Sequence, residues 1–329
     1  MTGFVHKTVL LNETVNALVY PEYHAKDSAM CNVLPVANKT GTFVDGTFGR
    51  GGHSRALLRH LAADARLIVF DKDPEAIQSA NELALEDKRV TVIHDAFSSM
   101  QEHLSAMGIT NIQGVMLDLG ISSPQIDDAS RGFSFMKDGP LDMRMDSSRG
   151  MTAAQWLHEA SVEEIKEVIK NYGEERYAFQ IAKTIDRRRQ EQPIRTTLEL
   201  AELISSCVRT REKGQHPATR TFQAIRIFLN EELQELSRSL TSILTLLDTQ
   251  ARMAIISFHS LEDRMVKQFI SAASKPGAAY SRLPLRESEM PQATLLDLGK
   301  RKPSEKEVEE NPRSRSAILR VAQRTGVTR

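Results

Sequence analysis

The sequence predicts an α/β protein in which a parallel sheet is interrupted by an all-helical domain. Short apolar runs alternate with helical stretches from residue 42 to about 120, and residues 152–210 carry helical patterns only. An apolar strand pattern then returns at residues 253–258. Alternating strands and helices imply a parallel sheet that is covered on both faces and binds ligands at the carboxyl ends of its strands.

The strands of the first half are four apolar runs, and an acid stands at or just past the end of each. The runs are 42–45, 66–70, 89–94 and 114–118, and the acids are Asp45, Asp71, Asp95 and Asp118. The helices between them are predicted to begin near Ser54, Pro74 and Phe97. The second of these has a capping Asp73 before Pro74, which is a favourable start for a helix.

The middle of the chain reads as an inserted domain. Residues 121–146 are rich in Ser, Asp, Gly and Pro, and a loop of that length is usually functional or a domain junction. Helical patterns follow, one of which opens with the capping box Thr196–Glu199. We therefore expect one domain to comprise residues 1–122 and 218–329, and an inserted helical domain to comprise residues 123–217.

Sheet-type sequence returns in the last third. A long helix is predicted over 218–240, the strand 253–258 follows, and a helix starts at Ser260. The polar, Pro-rich stretch 274–312 is predicted to be a mobile loop, and 316–322 a last strand. These runs predict a sheet of about six or seven strands.

Composition narrows the class of protein. The 329 residues carry 43 Lys and Arg against 43 Asp and Glu, so nucleic acid would bind only through a local basic patch. There is no signal peptide pattern and no apolar run long enough to span a membrane. Cys31 and Cys207 make neither a disulfide framework nor a metal-ligand spacing, which favours a reducing cytoplasm and no metal.

The turn after the first strand has the pattern of a cofactor site. Gly46, Gly49, Gly51 and Gly52 separate Asp45 from a helix start, and glycines allow close approach to a ligand at the N-terminus of a helix. About twenty residues past Gly51, Asp71 ends the next strand, where an acid can bind the hydroxyls of a ribose. Together these features indicate a nucleoside-containing cofactor, although glycine-rich segments are also ordinary turns.

The details of the turn bear on which cofactor it is. The dinucleotide pattern G-x-G-x-x-G fails because Ser54 stands at the third glycine, which counts against a nicotinamide-dependent oxidoreductase. A phosphate-binding loop would need Gly-Lys-Ser/Thr, whereas Gly51 is followed by Gly52 and His53. A looser turn without lysine suits S-adenosylmethionine, which has a nucleoside and a charged amino-acid tail but no phosphate.

The fourth strand tip offers oxygen atoms suited to amine methylation. A cytosine or adenine amine is a poor nucleophile because its lone pair is delocalised into the ring. Oxygen acceptors that bind its N–H protons can aim that lone pair at a methyl donor. Asp118 and the carbonyl groups of Ser122 and Ser123 are candidates, whereas the alternative is a strand cap followed by an ordinary Ser-Ser-Pro turn.

Several long segments resemble the RsmH/MraW family, the bacterial S-adenosylmethionine-dependent methyltransferases of a cytosine N4 in 16S ribosomal RNA. They are Asp45–Ser54, Leu117–Gln125, Arg131–Phe135, Gly139–Asp146, Asn171–Arg176, His216–Gln223 and Ser257–Arg264. The similarity runs from His6 to near the C-terminus. The segment Tyr23–Lys39 departs from it, being longer than the link that the family usually has there.

The resemblance implies a Rossmann-like class I methyltransferase sheet and a set of residues that bind S-adenosylmethionine. Gly51, Gly52 and His53 would hold the methionine end, Asp71 the ribose and Phe97 the adenine. Asp45, Asp118 and Gln125 would complete the cofactor site. The expected substrate is the decoding region of 16S rRNA in the small ribosomal subunit, and the helical insertion would recognise it. A non-catalytic RNA-binding assembly factor is the main alternative, and a homodimer is left open.

Candidate substrate residues complete the prediction. Ser-Ser-Pro-Gln lacks the aromatic residue that closes the related motif of DNA amino-methyltransferases, so we expect Phe133 or Phe135 to stack on the base. The basic run Arg187, Arg188 and Arg189, with Arg209–Lys213 nearby, is the candidate for phosphate contacts. The other expected substrate residues are Arg144, His216, Arg220 and His259.

Overall fold

Seven strands form one sheet in the computed structural model, which describes residues 7–208, 216–277 and 290–327. The strands are β1 Thr42–Asp45, β2 Arg66–Asp71, β3 Val90–His94, β4 Ile112–Asp118, β5 Leu247–Ser257, β6 Leu295–Arg301 and β7 Ile318–Arg324. Their order is β3-β2-β1-β4-β5-β7-β6, and β7 runs antiparallel to both of its neighbours. The Rossmann-like α/β sheet that the sequence predicts is confirmed.

Helices connect the strands and make up the middle of the chain. They are α1 Leu11–Val19, α2 Gly52–Leu58, α3 Pro74–Glu86, α4 Met100–Ala106, α5 Ser123–Asp127, α6 Ala153–Glu159, α7 Val162–Gly173, α8 Ala178–Glu191, α9 Thr197–Cys207, α10 Thr219–Leu229, α11 Glu232–Leu246, α12 Ser260–Ser274 and α13 Glu305–Glu310. The capping residues Asp73 and Thr196 accept hydrogen bonds as predicted. Among the described residues, no helix is both long and apolar enough to cross a bilayer.

The chain divides into two units, one of which contains the sheet. This sheet unit comprises Met1–Gly120 and Gln234–Arg329, and the helical unit comprises Ile121–Leu233. In the sheet unit, Val44 and Phe43 are adjacent in β1 yet belong to two different apolar clusters. That alternation is expected of a strand that is buried on both faces.

The strand order of the sheet unit has a switch point beside β1, where a ligand site is expected. The chain moves outward from β1 to β3 and then returns to pair β4 with the other side of β1. Such a switch point opens a crevice at the carboxyl ends of the strands. Asp45 is in register with Val69 and Met116, so β1, β2 and β4 end at nearly the same level.

The predicted domain boundary at 217/218 needs a correction, because the helical unit extends to Leu233. Ala218, Phe222 and Ile225 are buried in the apolar cluster of that unit, together with Ile165 and Ile204. The sequence prediction assigned α10 to the sheet because it continued toward the returning strand. Its apolar face instead completes the helical core.

The predicted helix 218–240 is two helices, and the break is at Asn230. The side chain of Asn230 donates to the Met143 carbonyl at 2.8 Å and accepts from the Met145 N–H at 2.7 Å. Glu231 follows with a left-handed φ of +52°, which no α-helix can contain. A long-range polar contact therefore interrupts a sequence that is locally helical.

The predicted loop 274–312 is also corrected. Its described part holds strand β6 and helix α13, whereas residues 278–289 lie outside the described residues. β6 is an edge strand with exposed charges and an irregular register at Asp297/Gly299, so its sequence lacks the apolar alternation of an inner strand. The bounds of the other two strands predicted in the last third also change, because β5 begins at Leu247 and β7 ends at Arg324.

Candidate active site

The turn between β1 and α2 is built by glycines in left-handed conformations. Gly49 has a φ of +57° and Gly51 a φ of +76°. A Cβ at Gly51 would lie 2.6 Å from the Phe48 ring, whereas one at Gly49 would meet no atom within 4 Å. The open side of Gly49 is the close-approach surface that a cofactor turn needs.

Asp45 anchors this turn from inside the sheet unit. Its side chain is 2% exposed, accepting from the Ser54 hydroxyl at 2.7 Å and from the Thr47 N–H at 3.1 Å. Burial raises the pKa of Asp45 to about 6, against the effect of these two hydrogen bonds. Its contacts hold the turn, and its predicted contact with a cofactor stays a prediction.

Asp71 ties the tip of β2 to the same turn. One carboxylate oxygen accepts from the Gly49 N–H at 2.8 Å, and the other accepts from the Asp73 N–H at 2.9 Å. Burial raises the pKa of Asp71, opposed by these backbone hydrogen bonds. Each oxygen of a carboxylate has a second lone pair, so this geometry leaves acceptors for the hydroxyls of a ribose.

Asp118 ends β4 with a carboxylate oxygen that lacks a partner. Its backbone N–H donates to the Thr47 hydroxyl at 2.6 Å, and its Oδ2 lies 3.7 Å from His53 Nδ1. Its Oδ1 is buried and has no hydrogen-bond partner among the described residues. Burial, followed by repulsion from Asp45 and Glu262, raises the pKa of Asp118 to about 8. An unpaired buried acceptor is costly, so a ligand that donates a hydrogen bond fits this position.

His53 is oriented by the backbone of the N-terminal segment. Its ring is 6% exposed, and its Nε2 lies 3.1 Å from the Val9 carbonyl oxygen. A carbonyl can only accept, so Nε2 carries the proton and Nδ1 faces Asp118. Gly52 begins α2 beside it, two residues before the predicted start at Ser54.

Phe97 lies beyond the tip of β3, where the sequence predicts contact with adenine. It is half-buried at the start of a 3₁₀ helix, Phe97–Ser99. A Cβ at Gly46 would lie 2.3 Å from Leu117 Cδ2 and 3.0 Å from the Phe97 Cβ, so the turn packs closely against both side chains. The neighbouring acid Asp95 is paired with His103 at 2.9 Å.

Ser122, Ser123 and Gln125 belong to the start of α5 in the helical unit. The Gln125 side chain accepts from the Ser122 N–H at 2.8 Å, closing a capping box. The Ser122 carbonyl accepts from the Ile126 N–H at 3.2 Å. Each of these oxygens accepts a hydrogen bond at the start of the helix and has a second lone pair, so the predicted contacts of Ser122, Ser123 and Gln125 with ligands stay predictions.

The two candidate stacking residues differ in burial. Phe133 is 8% exposed and packs in the core of the helical unit, so its burial does not favour a role in stacking, which stays a prediction. Phe135 is half-buried, and its ring centroid is 4.5 Å from that of His216. Both rings line a groove of about 510 Å³ together with Met136, Leu198 and Glu202, among others.

Two other candidate substrate residues are held by the chain itself. Arg144 makes two bonds to Asp142, at 2.9 and 2.7 Å, and further bonds to the carbonyls of Arg149 and Gly150. Arg220 donates to the Glu174 carbonyl at 3.1 Å. Planar guanidinium groups with such partners brace a loop, and these contacts favour a structural role over the predicted substrate contact.

The three arginines of the basic run on α8 also differ in how far the chain itself holds them. Arg189 pairs with Asp186 at 2.7 Å and donates to the carbonyls at the end of α6, including Ala160 at 2.6 Å. Arg188 bonds to Gln192, whereas Arg187 is exposed. Arg187 is therefore the strongest phosphate candidate of the three, and Arg209–Lys213 lie outside the described residues.

His259, a predicted substrate residue, is the N-cap of α12. Its Nδ1 accepts from the Glu262 N–H at 3.5 Å, and its Nε2 lies 3.1 Å from a Glu262 carboxylate oxygen. Sequence reasoning missed Glu262, as well as Thr47 and Val9. The spacing from His259 to Glu262 is a capping-box signal, but the carbonyl of Val9 leaves no signal in a sequence.

Comparisons with known proteins agree with this geometry. The MraW methylase family matches residues 3–325. Ribosomal RNA small subunit methyltransferase H of Bordetella petrii is 61% identical over 327 residues, covering 98% of this chain and 90% of the relative. The protein of the same name from Burkholderia cenocepacia is 52% identical over 323 residues, covering 97% of each chain.

A solved structure gives a looser likeness. The putative rRNA-methylase from Clostridium thermocellum has a TM-score of 0.39 at 12% identity, covering 86% of this chain and 88% of that chain. The family match and the two relatives extend over nearly the whole sequence, including both the turn at Gly49–His53 and the tip of β4. The chain belongs to the MraW methylase family.

Proposed function

We propose that this protein transfers a methyl group from S-adenosylmethionine to the N4 amine of a cytidine in the decoding region of 16S rRNA, in the cytoplasm. The observation that carries the proposal is the Asp118 carboxylate at the carboxyl end of β4, whose buried Oδ1 has no partner among the described residues. The names of the curated relatives, ribosomal RNA small subunit methyltransferase H, support the class of substrate.

The residues of the sheet unit fit the proposed cofactor. Asp71 offers lone pairs to the ribose hydroxyls, Phe97 offers a half-buried ring to adenine, and the open side of Gly49 admits a ligand. Bound S-adenosylmethionine would supply an activated methyl group on a sulfonium. Residues 49–53 would hold its methionine end, in a turn fixed by Asp45 and Asp71.

Asp118 is suited to orient an exocyclic amine. A carboxylate oxygen that accepts an N–H bond directs the nitrogen lone pair away from itself and keeps the amine in one orientation. Its raised pKa, about 8, also fits a group that exchanges a proton near neutral pH. A cationic ligand nearby favours the charged carboxylate and would lower this pKa, which strengthens the acceptor when the cofactor is bound.

Mass spectrometry of small-subunit RNA from cells that lack this protein tests the proposal. The expected result is the loss of one cytidine N4-methyl mark in the decoding region, restored by the wild-type gene. Purified protein should restore the mark on subunits from those cells when S-adenosylmethionine is added. An unchanged mark, or binding to subunits without methyl transfer, would favour the assembly-factor alternative.

We expect substitutions of Arg187 and Arg189 to affect different properties, RNA binding in the first case and stability in the second. Arg187→Gln should weaken RNA binding and lower the slope of log affinity against log salt by about one, because one phosphate contact is lost. Arg189→Gln should leave that slope unchanged and lower the free energy of unfolding by about 1–3 kcal/mol, since it removes bonds to Asp186 and Ala160. Salt-dependent binding assays and urea unfolding measure the two effects. Equal salt slopes for the Arg187 variant and the wild type would contradict the assignment.

A further inference from the structure

Residues 7–10, which we name the strap, contact the glycine turn of the cofactor site. A Cβ at Gly52 would collide with the Thr8 hydroxyl, so the two segments approach as closely as glycine allows. The Val9 carbonyl meets the ring of His53 at 3.1 Å. The strap therefore packs directly against the turn that ends at His53.

The far end of the sequence holds the strap in place. The Glu307 carboxylate accepts from the Leu10 N–H at 2.7 Å, and the Asn311 side chain donates to the Lys7 carbonyl at 3.2 Å. Lys7 also pairs with Glu310 at 2.6 Å, although both side chains are exposed and such a pair contributes little. The hydrogen bond from the Leu10 N–H to the Glu307 carboxylate is partly buried and charge-assisted, and it is the strongest of these contacts.

One peptide group connects Glu307 to His53. The carbonyl of the Val9–Leu10 peptide accepts from His53, and the N–H of the same peptide donates to Glu307. The two groups of a trans peptide are fixed in one plane and point in opposite directions, so turning the plane breaks both bonds together. Leu10 is fully buried with a left-handed φ of +50°, which a leucine keeps only where its surroundings enforce it.

The peptide decides which nitrogen of His53 bears the proton. The Val9 oxygen accepts only, so it requires an N–H at Nε2 and leaves Nδ1 toward Asp118 Oδ2, 3.7 Å away. The other tautomer would set a nitrogen lone pair against the carbonyl oxygen. The charged acceptor at Glu307 polarises the peptide and strengthens its carbonyl as an acceptor.

We propose that Glu307 is a positioning residue, which fixes the Val9–Leu10 peptide plane and thereby the tautomer of His53 that presents Nδ1 to Asp118. Glu307 acts through the backbone and has no part in the chemistry itself. The effect on turnover rests on the proposed function, whereas the effect on the tautomer does not.

Nitrogen-15 NMR of histidine-labelled protein tests this assignment. The chain has nine histidines, and the signals of His53 are those that disappear in His53→Gln. In the wild type we expect one protonated Nε2 in a single environment. Glu307→Ala should shift or broaden both ring nitrogens, and Glu307→Gln should keep the wild-type signals because its amide oxygen can still accept from Leu10. Glu309→Ala, an exposed change on the same helix, is the control and should have no effect.

Wild-type His53 signals in Glu307→Ala would overturn the proposal. If that variant does not fold, Glu307→Asp decides instead, because it keeps the charge but shortens the reach to Leu10, and unchanged signals would again overturn it. In methyl-transfer assays, Glu307→Ala should lower kcat about tenfold with KM for RNA unchanged. Absence of methyl transfer by the wild type would count against the proposed function alone, since the NMR result is independent of turnover.

Discussion

Replacing Asp118 with asparagine is expected to lower methyl transfer by about a hundredfold or more while raising the stability of the folded protein. The asparagine side chain is nearly the same size as that of aspartate, but its amide cannot match a charged carboxylate as an acceptor for the amine. The stability change follows from the pKa of Asp118, which burial and two nearby acids raise from 3.8 to about 8. The same carboxyl that would orient the substrate therefore destabilises the folded protein when it is ionised.

The raised pKa of Asp118 determines how the free energy of unfolding changes with pH. An acid whose pKa is higher in the folded state binds its proton more tightly there, so the free energy of unfolding falls as the pH rises from about 4 to about 8. Asparagine cannot ionise and removes this loss. We expect Asp118→Asn to gain about 1–3 kcal/mol at pH 8 and much less at pH 4, as measured by urea unfolding at both values.

Asp45→Asn is the matched control for this experiment. Asp45 is also buried, but both of its oxygens accept hydrogen bonds, from Ser54 and Thr47. An amide would place a donor against one of these donors, which opposes the stability gained by removing an acid of raised pKa, so Asp45→Asn should gain less than Asp118→Asn at pH 8. A stability loss in Asp118→Asn at pH 8, or a gain no larger than that of Asp45→Asn, would contradict the unpaired state of Asp118.

The sheet and the cofactor turn could be predicted because their signals are local. The run from Thr42 to Ser54 carries a strand, an acid, positive-φ glycines and a helix start in consecutive residues, and the structure places each of them there. Asp71 could be found from its distance along the chain, since a β-α-β unit has a nearly fixed length. The acid at Asp118 follows from the same repeat.

The missed features depend on contacts that are distant in sequence. Nothing near Asn230 reveals that its side chain will bind the backbone of Met143 and Met145, so the break between α10 and α11 could not be expected. The edge strand β6 is concealed by its charges, because an edge needs no apolar alternation. The link from Glu307 to His53 runs through a peptide group, which looks the same in every sequence.

The residues of the helical unit show a second limit of prediction from sequence. Phe133 and Phe135 are two positions apart in one motif, yet one is a core residue and the other lines a groove beside His216. Likewise, Arg187 is exposed to solvent, whereas Arg189 is held in a structural ion pair. A sequence identifies such side chains as candidates, and only the tertiary structure decides which of them is available.

Replacing Asp71 with asparagine is expected to weaken the binding of S-adenosylmethionine by about a hundredfold, which corresponds to about 3 kcal/mol. The carboxylate accepts from Gly49 with one oxygen and from Asp73 with the other. An amide has one oxygen only, so its NH₂ group would face one of these backbone donors and release it. If Gly49 is released, the glycine turn loses its link to β2 at the same time as the ribose loses an acceptor.

Calorimetric titration with S-adenosylmethionine measures this loss, and Glu75→Gln serves as its control. Glu75 is an acid of the same segment whose carboxylate pairs with the partly exposed Arg50 at 2.7 Å, and an exposed pair of this kind contributes about 1 kcal/mol or less. Its removal should leave the affinity within about threefold of the wild type. Equal affinities for the Asp71 variant and the control would mean that the acid at the tip of β2 only anchors the turn. In that case the ribose would have to be bound by another residue.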